Sequence, residues 1–161
     1  MKIRSGFVSN SSSSSFVVVL EKRPESPEEI KEVLFKNIES ITYYDYVKST
    51  KEISERIFND IKNFEKNSKY LIENIINGLD EWGWRYEQYK KPDGNIDWAA
   101  HDRDYEQHKS DIVIPMVNKF IEKYKDNYMF TTSYDDSGSG IVYEKGNIFK
   151  NAVDCLIIDE H

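Results

Sequence analysis

Five apolar residues without polar alternation, Phe16 to Leu20, begin the patterned part of the chain. β-Branched and aromatic side chains in so short a run predict a strand covered on both faces or central in a sheet. Ser26-Pro27-Glu28-Glu29 then predicts a helix start. It offers a hydroxyl cap, a proline where the missing N–H costs nothing, and a glutamate placed to bond back to the cap. Ile30, Val33, Leu34 and Ile38 follow at helical spacing. Tyr43, Tyr44 and Tyr46 fall in a connection, after which Ser49 and Glu52 repeat the capping pattern ahead of an Ile53, Ile57, Ile61, Phe64 stripe.

A third helix is expected from Ser68, burying Leu71, Ile72, Ile75, Ile76 and Leu79, with Gly78 and Gly83 weakening its second half. Lys91-Pro92-Asp93-Gly94-Asn95 reads as a tight turn that sets this helix antiparallel to a fourth beginning near Asp97. Pro115 removes one intrahelical bond, so a kink is predicted around Ser110 to Ile114. Beyond it Val113, Met116, Val117, Phe120, Ile121 and Tyr124 form the expected buried stripe. From Asn127 the period changes, and Tyr128 to Tyr134, Ile141 to Glu144 and Ala152 to Asp159 read as three strands of a meander.

Helices grouped in sequence between strands argue against a parallel doubly wound sheet. The expectation is an α+β fold: an antiparallel or mixed sheet of about four strands with four helices packed on one face. The chain reads as a single domain, 1–161, with a Ser-rich N-terminal segment 1–15, a strand 16–20, a helical region 26–125 and a C-terminal β meander 127–159.

Composition narrows the function classes. With 161 residues, 39% of them hydrophobic and 14% aromatic, the chain can bury one sizeable core. A net charge of -7 repels nucleic-acid phosphates and anionic membrane surfaces, so no direct nucleic-acid partner is expected. No apolar stretch approaches the ~18 residues that span a bilayer, and a cytoplasmic, non-membrane protein is the expectation. Residues 126–161 carry seven acidic and two basic side chains, which suits a basic partner. The single Cys155, inside an apolar run, excludes an intrachain disulfide and reads as a buried, inert thiol.

Lys2-Ile3-Arg4-Ser5-Gly6-Phe7-Val8-Ser9-Asn10, followed by Ser11 to Ser15 and Phe16, resembles an N-terminal leader found on otherwise dissimilar, uncharacterised proteins of bacteriophages and low-GC bacteria. The resemblance covers about a tenth of the chain and implies a phage or mobile-element origin without implying an activity. As a phosphate loop the serine tract has the wrong order, because it precedes a strand and no Gly-Lys-Ser/Thr follows.

Two constellations remain. On a helix turning ~100° per residue, His101, Asp104, His108 and Asp111 fall within about 80° of one another, a doubled His-x-x-Asp ladder. Such side chains ligate divalent transition metals, and Glu73 or Glu81 on the preceding helix could complete the set. The alternative is that the histidines line a helix seam or a solvated face. Trp82, Trp84, Arg85, Tyr86, Tyr89 and Trp98 crowd one helical hairpin, and aromatics with an arginine are enriched in protein interfaces. Asp135-Asp136-Ser137-Gly138-Ser139-Gly140 lacks the ligand spacing of a calcium loop and reads as a turn. Nucleophile elbows, zincin helices and dinucleotide glycine patterns are absent. The chain therefore reads as a non-enzymatic interaction protein needing no cofactor, with a metal-dependent hydrolase as the second reading.

Overall fold

The computed structural model describes residues 13–67, 86–135 and 138–159. Their order is β1 (Ser13–Leu20), α1 (Pro27–Leu34), β2 (Ser40–Tyr43), β3 (Tyr46–Ser49), α2 (Thr50–Asn67), a 3-10 turn (Tyr86–Tyr89) and α3 (Trp98–His108). A π turn (Lys109–Val113), α4 (Ile114–Lys123), β4 (Tyr128–Asp135), a second 3-10 turn (Gly138–Gly140), α5 (Ile141–Lys145) and β5 (Asp154–Asp159) follow. The fold is α+β, with one antiparallel three-stranded sheet ordered β4-β1-β5 and a separate antiparallel hairpin, β2-β3. The third predicted helix, from Ser68, lies outside the described residues, as do Ser11, Ser12, Asp136 and Ser137.

The apolar run becomes the central strand because nothing along it can face water. Phe16 pairs with Thr132 on one side and Ile157 on the other, and Val18 with Phe130 and Cys155. Val17, Val18 and Val19 have no exposed surface. On one face Phe16, Val18 and Leu20 meet Ile30 and Leu34 of α1, Ile53, Ile57 and Ile61 of α2, and Phe130 of β4. On the other, Val17 packs against Val113 and Val117, with Phe120, Ile121 and Leu156 around them. Helices thus cover both faces of the sheet, which corrects the expected one-sided layering. The physical reason is already in β1, since a strand with apolar side chains at odd and even positions needs cover twice.

Local signals act where they were read. The Ser26 hydroxyl accepts from the Glu29 N–H at 3.3 Å, although the Glu29 carboxylate bonds back to the N–H of Glu25, one residue before the cap, at 2.9 Å. Ser49 and Glu52 make the reciprocal box in full, at 3.2 and 3.1 Å. Pro115 sits at the start of α4 and the helix absorbs it one turn earlier, where the Ile114 N–H reaches back five residues to the Lys109 carbonyl. This π turn shifts the phase of α4 relative to α3. Met116, expected in the buried stripe, is 47% exposed, while Val113 and Val117 are buried.

Two further expectations are corrected. Tyr43, Tyr44 and Tyr46 belong to the β2-β3 hairpin, whose reversal places Tyr44 at a positive φ of 50°. Ile141 to Glu144, read as a strand, lies in α5, so the C-terminal region is no meander. A three-residue apolar run fits either period, and Gly146 decides the outcome. Its N–H caps the Val142 carbonyl at 2.9 Å, and a Cβ at this position would collide with that same oxygen.

Ile57 is fully buried and Ile112 is 54% exposed. Ile57→Ala is expected to cost about 2–5 kcal/mol in urea unfolding, through lost burial plus a cavity, and Ile112→Ala under about 0.5 kcal/mol. Equal losses would contradict the layering.

Candidate functional site

The turn from Tyr89 to Asp97 builds the one part of the expected aromatic hairpin that can be described around its centre. The Lys91 N–H donates to the Asn95 carbonyl, the Gly94 N–H to the Lys91 carbonyl, and the Asp97 N–H to the Tyr89 carbonyl, at 2.7, 2.9 and 2.9 Å. Gly94 takes φ 85°, the conformation for which glycine suits this turn. Asp97 then caps α3, accepting from the Ala100 N–H at 3.1 Å. These bonds bring Tyr89 against the first turn of α3. His101 is enclosed there by Tyr89, Trp98 and Tyr105, with ring centroids at 5.3, 5.5 and 6.0 Å.

His101 is 8% exposed, and its Nδ1 lies 3.0 Å from an Asp102 carboxylate oxygen. The Tyr89 hydroxyl donates to Asp104 at 3.2 Å; burial first, and Asp104 second, raise the pKa of that phenol. Asp111 accepts from the Gln107 amide at 2.7 Å. The ladder His101, Asp104, His108, Asp111 therefore lies along one helical segment with its members turned to different neighbours. Among the described residues no three His, Cys, Asp or Glu side chains stand where they could hold a metal ion. Glu73 and Glu81 lie outside the described residues.

Of the aromatic set, Trp82, Trp84 and Arg85 lie outside the described residues, and Tyr86 opens the 3-10 turn. Trp98 is half exposed at 50%, with Ile112 at 54% and Met116 at 47% further along the same helical segment. Asp102, Asp104, Glu106 and Asp111 are exposed between them.

The strongest polar geometry lies elsewhere, between α2 and the sheet. One Asp60 oxygen accepts from the Thr132 hydroxyl at 3.1 Å and the Tyr134 hydroxyl at 2.8 Å; the other accepts from Arg56 at 3.1 Å. One turn on, Arg23 forks onto Glu65 at 2.6 and 2.9 Å, and the Tyr128 hydroxyl donates to the same carboxylate at 3.0 Å. On the opposite face the Tyr124 hydroxyl donates to Asp154, which also accepts from the Cys155 N–H at 2.8 Å. The only sequence signal for the first two was the alternation Tyr128, Phe130, Thr132, Tyr134, polar tips on an otherwise apolar face.

These groups are held in inert protonation states. Burial pushes the Tyr128 and Tyr134 phenols above their ordinary range, with Glu65 and Asp60 adding to it. The Arg23 bond lowers the Glu65 carboxyl, and the Tyr124 bond lowers that of Asp154. Burial raises the Cys155 thiol to about 12, which removes it as a nucleophile near neutral pH. Nothing among them has the poised base or activated nucleophile that catalysis needs. The chain matches no family model, no curated protein and no solved structure. Among the described residues no helix is long and apolar enough to cross a membrane.

Glu65 is ionised in the fold below its usual range, so its bonds stabilise above the unfolded carboxylate pKa near 4.5 and are lost as pH falls below it. The melting temperature is expected to drop through that window, and Glu65→Gln to lower it at pH 7 while flattening the acid limb. Unchanged acid behaviour in that variant would show the clamp to be unimportant. For His101, His101→Ala should cost about 1–3 kcal/mol through loss of a buried ring. Zinc or manganese should leave the wild-type melting temperature where it is, whereas a rise with metal would revive the ladder as a ligand set.

Proposed function

We propose that this chain acts by binding a protein partner rather than by catalysis, through the outward side of the helical segment that starts at Trp98. The observation that carries the reading is the half-exposure of Trp98, Ile112 and Met116 on a segment whose other side, Val113 and Val117, already packs on the sheet. Covering the exposed half of such side chains gains about 0.8–1.5 kcal/mol each, half the value for burying one from full exposure. Trp98 and Tyr89 are rigid aromatics already ordered around His101, so little entropy is lost when a partner arrives. π Turns recur at functional positions in helices, and here one separates Trp98 from the Ile112–Met116 pair.

Asp102, Asp104, Glu106 and Asp111 give the same surface negative character and favour a basic partner, with an on-rate that falls as salt rises. The leader resemblance supports a phage or mobile-element origin, and with it a host protein as the partner, held or inhibited by occlusion.

Affinity capture from bacterial host lysate at low and moderate salt is the test. A specific protein is expected to be retained by the wild type, more at low salt, and by Val33→Glu, a substitution at an exposed site on α1. It should be lost with Ile112→Glu/Met116→Glu and weakened with Trp98→Ala. Retention indifferent to those substitutions, or no retained protein, would remove the helical surface as an interface.

A further inference from the structure

Strand β5 runs along the edge of the three-stranded sheet, and no other strand pairs with its outer side among the described residues. Beside it lies a cleft of about 500 Å³. Phe16, Cys155 and Ile157 share one sheet face, as their register with β1 requires, and form the floor. Phe149, from the segment between α5 and β5, also lines the cleft and packs its ring against Phe16 with centroids 5.5 Å apart. Ile157 is 43% exposed and Val153, just before the strand, 45% exposed. Edge strands are usually blunted by a lysine, a proline or a covering element, and β5, Asp-Cys-Leu-Ile-Ile-Asp, carries neither lysine nor proline.

The charge around the cleft runs against that of the protein. Residues 126–161 contain two basic side chains, Lys145 and Lys150, and both line this cleft in a chain of net charge -7. Asp154 also lines it, but its carboxylate is taken by Tyr124 and lies 3.8 Å from Lys123, on the other face of the sheet. An unpaired edge, an apolar floor with side chains two residues apart and a lysine rim together describe a seat for an added strand. Main-chain bonds supply affinity in such a mode and alternate side chains supply specificity.

We propose that β5 accepts an extended acidic peptide as a fourth strand. One apolar side chain of that peptide packs beside Ile157, and carboxylates two residues to either side meet Lys145 and Lys150. This seat is separate from the Trp98 surface and stands whether or not that surface binds.

The probe is a fluorescein-labelled peptide, Thr-Glu-Thr-Val-Thr-Glu-Thr, which puts Glu, Val and Glu on one side of an extended strand. With the full chain, fluorescence anisotropy is expected to show saturable binding. Lys150→Glu should weaken binding about tenfold and Ile157→Asp should abolish it, with thermal melts confirming that both variants fold. The same peptide with lysines for its glutamates, or with alternate backbone amides methylated, should not bind. No saturation at millimolar peptide, equal binding of the lysine peptide, or equal binding by Lys150→Glu would each overturn the proposal.

Discussion

Every layer of this protein depends on the double burial of β1. A strand without exposed surface at Val17, Val18 and Val19 must have a partner strand on each edge and cover on each face, and those four needs draw on four separate parts of the chain. β4 and β5 supply the edges from more than a hundred residues away; α1 and α2 supply one face, and the helix beyond the π turn supplies the other. The consequence is kinetic as well as structural. The sheet cannot close until the last strand is available, so the loop-closure entropy of the whole chain precedes the main hydrophobic gain.

Polar anchors then fix how the covering layers sit. Asp60 and Glu65 on α2 and Asp154 on β5 are each met by a tyrosine hydroxyl, from Tyr134, Tyr128 and Tyr124. Tyrosine suits this place because its ring packs with the apolar core while its hydroxyl reaches the carboxylate that would otherwise be poorly solvated. Part of the acidity of the chain therefore aligns helices on the sheet.

What could be read beforehand was local. Ser26-Pro27, the Ser49/Glu52 box, the turn through Gly94 and the disturbance ahead of Pro115 depend on residues within one turn of each other, and each appears where its chemistry placed it. The non-local features were less accessible. The unbroken apolar run of β1 already required two covered faces, yet assigning all helices to one side ignored half of that requirement. The apolar run at Ile141 was decided by the backbone contact of Gly146 with Val142, which no periodicity count contains. The bonds from β4 to Asp60 and Glu65 join residues 63 to 74 positions apart, and only the alternation along β4 hinted at them. For the candidate site, the crowding of Tyr89 and Trp98 was legible, but His101 as its centre was not. Helical geometry places side chains on a face without saying which neighbour each turns toward.

The same distinction separates chemistry from recognition in this fold. The carboxylates with the best-formed partners are saturated by hydroxyl, guanidinium or backbone donors. The tyrosines opposite Asp60 and Glu65 are kept protonated by burial, and the thiol is raised to about 12. Groups so satisfied stabilise a fold but have no free valence for a substrate. Among the described residues the features open to another surface are of another kind: half-exposed apolar side chains on the segment from Trp98 to Met116, and an apolar strand edge beside lysines. Exposed apolar area and a strand edge that no described strand pairs gain free energy only when another surface covers them, and this is the physical basis of the proposed association.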